Sequence, residues 1–234
     1  MKKNTLKTLP IGLLIIAIFY TTLGCSSRPS QPSQQKLSII NIDTSIVLAT
    51  FLYQGCSPCQ QLLESPAYRN CKLQKIELDI QNDSIGKLFG QALWNTNFPT
   101  VYAITRNYDI LGIMQGNQFY EQADSILHFN KKFENIHMEE YYNIEKDSIL
   151  PLLSFSLKAT RCYVLKDFQR AKVFARQSIE KGSFFFNNYL LYKIYLQENN
   201  LDSARHYKEI LLNQNCDVNH YVYPDLIEEL HENN

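Results

Sequence analysis

The feature of this chain that most restricts its fold is an apolar run followed closely by two cysteines. Residues 46–51 (IVLATF) are nearly all apolar, which is typical of a strand buried within a sheet. Cys56 and Cys59 come next, and the residues after them, 60–63, favour a helix. The pattern predicts a strand, a short turn and a helix whose first turn carries both cysteines, where their sulfurs can meet.

Downstream of this helix, short apolar runs alternate with amphipathic segments. Asp83-Ser84 can cap a helix, and Phe98-Pro99-Thr100 leads into a strand. The predicted order is strand, cysteine helix, strand, helix, X-Pro strand, strand and helix, which joins a βαβ unit to a hairpin with a covering helix. The further strands are predicted at about 73–80, 101–104 and 110–113, and the further helices at about 84–93 and 119–133.

The cysteine pair behind an apolar strand, Phe98-Pro99-Thr100 about 40 residues on, and Gly116 beyond the last strand together resemble the thioredoxin superfamily. Within that superfamily the chain is most similar to the membrane-tethered periplasmic thioredoxin-like proteins. The resemblance implies an α/β thioredoxin-like fold for residues 38–136. It also implies that Pro99 follows a cis peptide bond and lies beside the dithiol.

The same resemblance implies a mechanism. Cys56 lies at a helix N-terminus, where amide groups and the helix dipole favour an anion, and attacks a substrate disulfide as a thiolate. Cys59 then resolves the mixed disulfide. The backbone before the proline can pair with an extended substrate segment. The substrate-binding residues implied in this way are Ser57, Pro58, Phe98 and Pro99.

Two residues depart from the thioredoxin pattern. Thr50 stands where thioredoxins carry a buried acidic residue, and Gly55 stands where an aromatic residue usually precedes the first cysteine. The first departure removes a proton-shuttle candidate, and the second removes part of the hydrophobic docking surface. Both bear on the efficiency of reduction and not on the fold.

The C-terminal part of the chain contains helical patterns only, and two of its segments match with an offset of 33 residues. Each unit is predicted as a helix, a polar break (166–167 or 198–200) and a second helix with a small alanine. The period and the alanine resemble tetratricopeptide repeats, so residues 137–234 are predicted to be an all-α tetratricopeptide-like region. Because about three repeats are normally needed for stability, helices at 138–150 and 221–231 are expected to flank them. An ordinary helical bundle is the alternative. The matched pairs are Tyr163/Leu196, Phe168/Leu201, Ala171/Ala204, Phe174/Tyr207 and Ile179/Leu212.

The N-terminus has the features of an export signal. Three lysines within the first seven residues precede an apolar segment, 11–20, that is too short to span a bilayer comfortably. Residues 22–25 (TLGC) resemble the lipobox of bacterial lipoproteins, which implies a signal peptide at 1–25 and acylation of Cys25. The Pro/Ser/Gln-rich residues 26–37 predict a flexible linker. A signal peptide cut nearby and an uncleaved membrane anchor are the alternatives.

The chain has six cysteines, and the five beyond the acyl site are too scattered for a disulfide scaffold. Cys71 is expected to pack in the core, with a bridge to the dithiol as the alternative, and Cys162 is expected to be buried. Cys216 and His220 have a spacing that suits two metal ligands on one helix face. Because no second pair is evident, neither a metal nor a cofactor is predicted.

Two functions remain open from the sequence. One is an exported, lipid-anchored thiol–disulfide oxidoreductase acting on exported proteins with disulfides or thiols. Ser57-Pro58 resembles the Gly-Pro of reductases more than the Pro-His of strong oxidants, which favours a reductase or isomerase supplied by a membrane redox partner. The alternative is a non-catalytic lipoprotein that binds or assembles envelope proteins.

The predicted location is the cell envelope, with the lipid anchor in the outer membrane and the protein facing the periplasm. Ser26, directly after the acylated cysteine, is compatible with that sorting. The formal charge of zero provides no electrostatic basis for binding nucleic acid.

Overall fold

The computed structural model describes residues 46–115, 138, 142, 144–214 and 217–232. Within these residues, no helix has the length and apolar character needed to cross a membrane. The features that lie outside them, and stay predictions, are the signal peptide with Cys25, the linker at 26–37, Gly116, the helix at 119–133, and Cys216.

The strands and first helices follow the predicted order. In the described residues, β1 spans Ile46–Leu52, α1 Ser57–Glu64, α2 Pro66–Asn70, β2 Gln74–Asp79, α3 Ser84–Ala92, β3 Thr100–Thr105 and β4 Ile110–Gln115. The four strands form one sheet in the order β2-β1-β3-β4. β1 pairs parallel with β2 and antiparallel with β3, and β3 pairs antiparallel with β4. A βαβ unit joined to a hairpin is compatible with a thioredoxin-like fold.

Local sequence signals explain where these helices begin and end. α1 stops before Pro66, which cannot continue a helix because it lacks an amide hydrogen. Pro66 instead opens α2, whose N-cap Ser65 accepts a hydrogen bond from the amide of Tyr68. The predicted break is therefore confirmed, with a second short helix after it. Asp83 caps α3 through the amide of Ile85, also as predicted.

Apart from Thr50, β1 is apolar because helices cover both of its faces. Leu48 belongs to a buried cluster with Leu62 of α1 and Tyr68 of α2, so this face lies under the cysteine helix. Phe51 points to the other face, where its ring meets that of Tyr102 edge-on at a centroid distance of 5.6 Å. The dithiol helix therefore follows, after a short turn, a central strand whose middle residues are buried.

The C-terminal helices repeat their geometry with the predicted offset. A 3-10 turn at Lys146–Ser148 precedes α4 (Ile149–Val164), α5 (Phe168–Lys181), α6 (Phe185–Gln197), α7 (Leu201–Asn213), α8 (Asp217–Val222) and α9 (Pro224–Glu232). In both units the turn residue has a positive φ, 60° at Lys166 and 55° at Asn199. In both, the next residue, Asp167 or Asn200, caps the second helix with its side chain.

The matched alanines lie where the helices of each unit pack together. α5 packs along α4, and α7 packs along α6. Ala171 is fully buried, and Ala204 is 2% exposed. Both units share the same turn conformation, a side-chain cap on the second helix and a buried alanine. These common features confirm that the 33-residue offset is a structural repeat.

The two flanking helices differ from the prediction. A single helix over 138–150 is wrong, because Ile144 and Glu145 are not helical. The buried Ile144 side chain packs against α5 at Gly182, where an added Cβ would lie 2.5 Å from it, and this packing breaks the helical path. A single helix over 221–231 is also wrong, because Pro224 begins a new helix.

The repeats lie against the sheet. α4 contacts α3 and β4, and α6 also reaches α3. Nearly all side chains of α6 are buried. The sheet and the C-terminal helices consequently belong to one compact unit.

Candidate functional site

The two cysteines form a disulfide at the start of α1. Cys56 is the N-cap residue and Cys59 lies in the first turn, with Cα atoms 5.2 Å apart. The amide of Cys59 donates a hydrogen bond to Sγ of Cys56 over 3.1 Å. Because this amide and the positive end of the helix dipole face the Cys56 sulfur, they stabilise negative charge on it once the bond is reduced.

The turn before α1 explains the glycine that departs from the thioredoxin pattern. The amide of Cys56 donates to the carbonyl of Tyr53 over 3.3 Å, which closes a tight turn. Within this turn Gly55 has φ +82°, a conformation that L side chains rarely adopt. An aromatic residue at that position would strain the backbone, so the turn itself requires glycine.

Exposed residues of this turn and of the start of α1 surround Cys56. Both cysteines are nearly buried, at 2% and 3% exposure. The neighbours of Cys56, Gly55 and Ser57, are exposed, and Pro58 is half-buried. The first cysteine is therefore buried but flanked by exposed residues, and Cys59 and Leu62 are the buried residues of α1.

The loop between α3 and β3 carries the second part of the site. The Phe98–Pro99 peptide bond is cis, as the resemblance implied. Pro99 is buried and Phe98 is half-buried. The rings of Tyr53 and Phe98 meet edge-on, with centroids 5.3 Å apart. These rings tie the loop to the turn that precedes the dithiol.

Tyr53 is the site residue that the sequence reasoning missed. β1 and β3 are antiparallel with Phe51 opposite Thr100, so Tyr53 and Phe98 each lie two residues beyond that pair. The pairing therefore brings the two rings together at one end of the sheet. Tyr53, two residues before Gly55, thus supplies an aromatic ring near the position where thioredoxins usually carry one. An aromatic residue just after the apolar run was the available signal.

No family model, curated protein or solved structure matches the chain. The dithiol, its helix and the adjoining cis-proline are therefore the observations from which its chemistry is inferred.

The two segments that build the site are free of charge. Residues 46–63 and 88–105 contain no Asp, Glu, Lys, Arg or His. Because these segments carry no charged side chain, their electrostatic effect on the two sulfurs comes from backbone dipoles, chiefly the dipole of α1. The two segments therefore offer aromatic rings and backbone groups, and no charged side chain, for contact with another molecule.

Thr50 takes the place of the expected buried acid and connects to an acid on the next strand. Its hydroxyl is buried and shares a 2.8 Å hydrogen bond with the hydroxyl of Tyr68. Tyr68 in turn donates to the carboxylate of the exposed Glu77 over 3.5 Å. Burial, together with the nearby Glu77 charge, raises the pKa of Tyr68 to about 12, although the Thr50 hydrogen bond opposes this.

We expect Tyr68→Phe to lower the free energy of unfolding by about 1 kcal/mol at pH 8, because a buried hydrogen bond is lost. The pKa of Tyr68 is higher in the folded chain than the unfolded value of 10.0. Its stabilising contribution is therefore complete below pH 10 and declines as pH rises towards 12. Urea unfolding of both proteins at pH 8 and pH 11 measures this, and the difference should shrink at pH 11. An unchanged difference would mean that folded Tyr68 ionises at its ordinary pKa.

The other candidate residues do not join the dithiol. Cys71 is a free, half-buried thiol packed against the apolar cluster beneath α1, which confirms the expected core position. Cys162 is buried as expected, and burial together with the charge of Asp167 raises the pKa of its thiol. Among the described residues no group of three metal-ligating side chains is present.

Proposed function

We propose that this chain is a thiol–disulfide oxidoreductase of the thioredoxin-like superfamily that acts on protein disulfides. The observation that carries the proposal is the Cys56–Cys59 disulfide at a helix N-terminus, where the preceding turn contacts the loop of Phe98 and Pro99 through the rings of Tyr53 and Phe98. A pair of cysteines that forms this bond, in an uncharged segment that also carries the ring of Tyr53, is suited to exchange it with a substrate.

In the reducing direction, the Cys56 thiolate attacks one sulfur of a substrate disulfide and releases the other as a thiolate. Cys59 loses its proton to solvent and attacks the Cys56 sulfur, which releases the second substrate sulfur. The chain is left with the Cys56–Cys59 disulfide, and the substrate gains two electrons and takes up two protons from solvent. The oxidising direction is the reverse of these steps.

Substrate is held by the groups around the sulfur. The backbone of Phe98 pairs with an extended substrate segment, and Pro99 places that backbone. Ser57 and Pro58 flank the sulfur from α1. The rings of Phe98 and Tyr53 offer contact to an apolar side chain near the substrate cysteine.

The proposal places this activity in the cell envelope. Acylation of Cys25 anchors the chain in the outer membrane, and the linker at 26–37 lets the folded part reach exported proteins in the periplasm. A membrane redox partner returns electrons to the dithiol after each turnover. The support for this part is the lipobox-like sequence at 22–25, and the neutral dithiol surface fits protein substrates.

The alternative, a non-catalytic lipoprotein that binds partners through its repeats, would need a free inner helical face. The helix that would form this face, α6, packs against α3, α5 and α7 and buries nearly all its side chains. Within the described residues α6 is thus covered mainly by α5 and α7, with a smaller contact to α3 of the sheet domain. Retention of an envelope partner by a variant that lacks both cysteines would favour the alternative.

The deciding experiment measures the reduction potential of the full chain in detergent against glutathione. We expect a reversible two-electron couple that is absent in Cys56→Ser and intact in the matched control Cys71→Ser. A potential between about −270 and −180 mV would identify a reductase or isomerase, and one near −120 mV an oxidant. If no couple appears, the proposed activity is wrong.

A further inference from the structure

The last turn of α3 leads into the loop that carries Phe98 and Pro99, and its carbonyls are held from outside the helix. The carbonyl of Gln91 accepts from the Tyr223 hydroxyl over 3.2 Å. The carbonyl of Ala92 accepts from the Ser156 hydroxyl over 2.8 Å. Helix C-terminal carbonyls lack the usual intrahelical amide partners. Here the carbonyl of Gln91 also accepts from the amide of Trp94 over 3.2 Å, and both carbonyls accept from hydroxyls of the C-terminal helical region.

Both donors are fixed. Ser156 lies on α4 and Tyr223 lies between α8 and α9, and neither exposes any surface. The Tyr223 ring also stacks on Phe185 of α6, with centroids 5.2 Å apart. The Tyr223 hydroxyl is therefore positioned by the packing of its ring on α6, and the Ser156 hydroxyl by the buried face of α4.

The contact continues into the loop itself, defined as residues 93–99. The ring of Trp94 is buried and meets the ring of Tyr142 edge-on at 6.0 Å. The carbonyl of Leu93 and the side chain of Asn95 accept from the Tyr102 hydroxyl on β3, over 2.8 and 2.6 Å. The first half of the loop is thus held between the helical region on one side and the sheet on the other.

We propose that the C-terminal helices position the cis-proline loop, with Ser156 and Tyr223 as positioning residues for substrate binding at the dithiol. This inference rests on the proposed function for its kinetic consequence. The hydrogen bonds at Gln91 and Ala92 hold the start of the loop, and the loop in turn fixes the position of the Phe98 backbone. The C-terminal helices would thereby act on the site of their own chain. A misplacement of about 1 Å at a site can cost about a hundredfold in rate.

The chain contains a matched control for Ser156. Ser154 lies two residues away on α4, is also buried, and also bonds to the sheet domain, where it accepts from the amide of Ile110 over 2.9 Å. Ile110 begins β4 and pairs with Ile104, at the end of the hairpin opposite Thr100. Ser154→Ala and Ser156→Ala therefore remove similar hydrogen bonds, one far from the loop and one at its base.

The kinetic test uses a fluorescent peptide disulfide as substrate of the full chain. We expect Ser156→Ala and Tyr223→Phe to raise KM about tenfold, with the reduction potential of the dithiol unchanged. Ser154→Ala should leave KM within about twofold. Equal changes in KM for both serine variants, or no change in either, would overturn the positioning role.

A second readout does not depend on turnover, because Trp94 is the only tryptophan in the chain and lies in the loop. We expect acrylamide to quench Trp94 fluorescence more strongly in Ser156→Ala and Tyr223→Phe than in wild type and Ser154→Ala. Identical quenching in all four proteins would refute the inference even if the enzyme is active. If the wild type shows no redox couple but the quenching differs as expected, the proposed function fails and the loop contact stands. Tyr223→Phe, which removes one oxygen atom, decides the matter should Ser156→Ala fail to fold.

Discussion

Replacing Cys59 by serine should stop turnover and leave Cys56 bound to its substrates. The second cysteine resolves the mixed disulfide from within the same helical turn, at an effective concentration far above that of any free thiol. Without it, release depends on external thiol, so we expect turnover to fall by on the order of a thousandfold or more. Electrophoresis of the membrane fraction without reductant should then show new high-mass species that contain this chain and disappear with dithiothreitol.

The controls for this trapping experiment follow from the structure. The double variant Cys56→Ser/Cys59→Ser should form no adducts, although Cys71 and Cys162 remain as free thiols. Adducts that persist in the double variant would assign the exchange to a cysteine outside the dithiol and contradict the proposed mechanism. The trapped partners also test the location, since they should be exported proteins. In the same fractions, Cys25→Ser should move the chain from the membrane to the soluble material if the lipid anchor is correct.

The sheet and the dithiol helix were predictable because their signals are local. An apolar run, a proline after Ser65 and a capping aspartate at Asp83 each determine the few residues around them. The structural repeat was predictable for the same reason, since the polar breaks before Asp167 and Asn200 contain their own caps. These signals act over a few residues and do not depend on distant parts of the chain.

The surroundings of the dithiol were less predictable because they depend on strand register. Thr50 lies opposite Glu77 only because β1 and β2 pair in parallel with one particular alignment. Tyr53 meets Phe98 only because Phe51 pairs with Thr100. A single sequence does not contain these alignments, so the replacement of a buried acid by a tyrosine-linked glutamate was not foreseen.

No local sequence pattern predicts the contacts between the sheet and the helical region. Ser154 and Ser156 are ordinary serines in a helix, and their partners are backbone atoms more than 40 residues away. The flanking helices were misjudged for two different reasons. The break at Ile144 follows from packing against Gly182, which is a tertiary contact, whereas the break at Pro224 was marked by the proline itself.

The repeat makes a second strong prediction about stability. Ala171→Leu and Ala204→Leu each add bulk at a buried position where two helices of one unit pack together. Overpacking of this kind costs about 1–3 kcal/mol, so each variant should unfold at a lower urea concentration, followed by circular dichroism at 222 nm. Val173→Leu, on the same helix as Ala171 and 51% exposed, is the matched control and should change stability by less than about 0.5 kcal/mol.

The two changes in the free energy of unfolding are more informative when compared than either change is alone. If the 33-residue offset reflects equivalent packing, the added leucine side chain of each variant is pressed against the preceding helix of its own unit. Their costs should then agree to within about 1 kcal/mol. A neutral Ala204→Leu beside a costly Ala171→Leu would show that only the first unit is tightly packed. The helical region would then stabilise the sheet mainly through α4, which contacts α3 and β4.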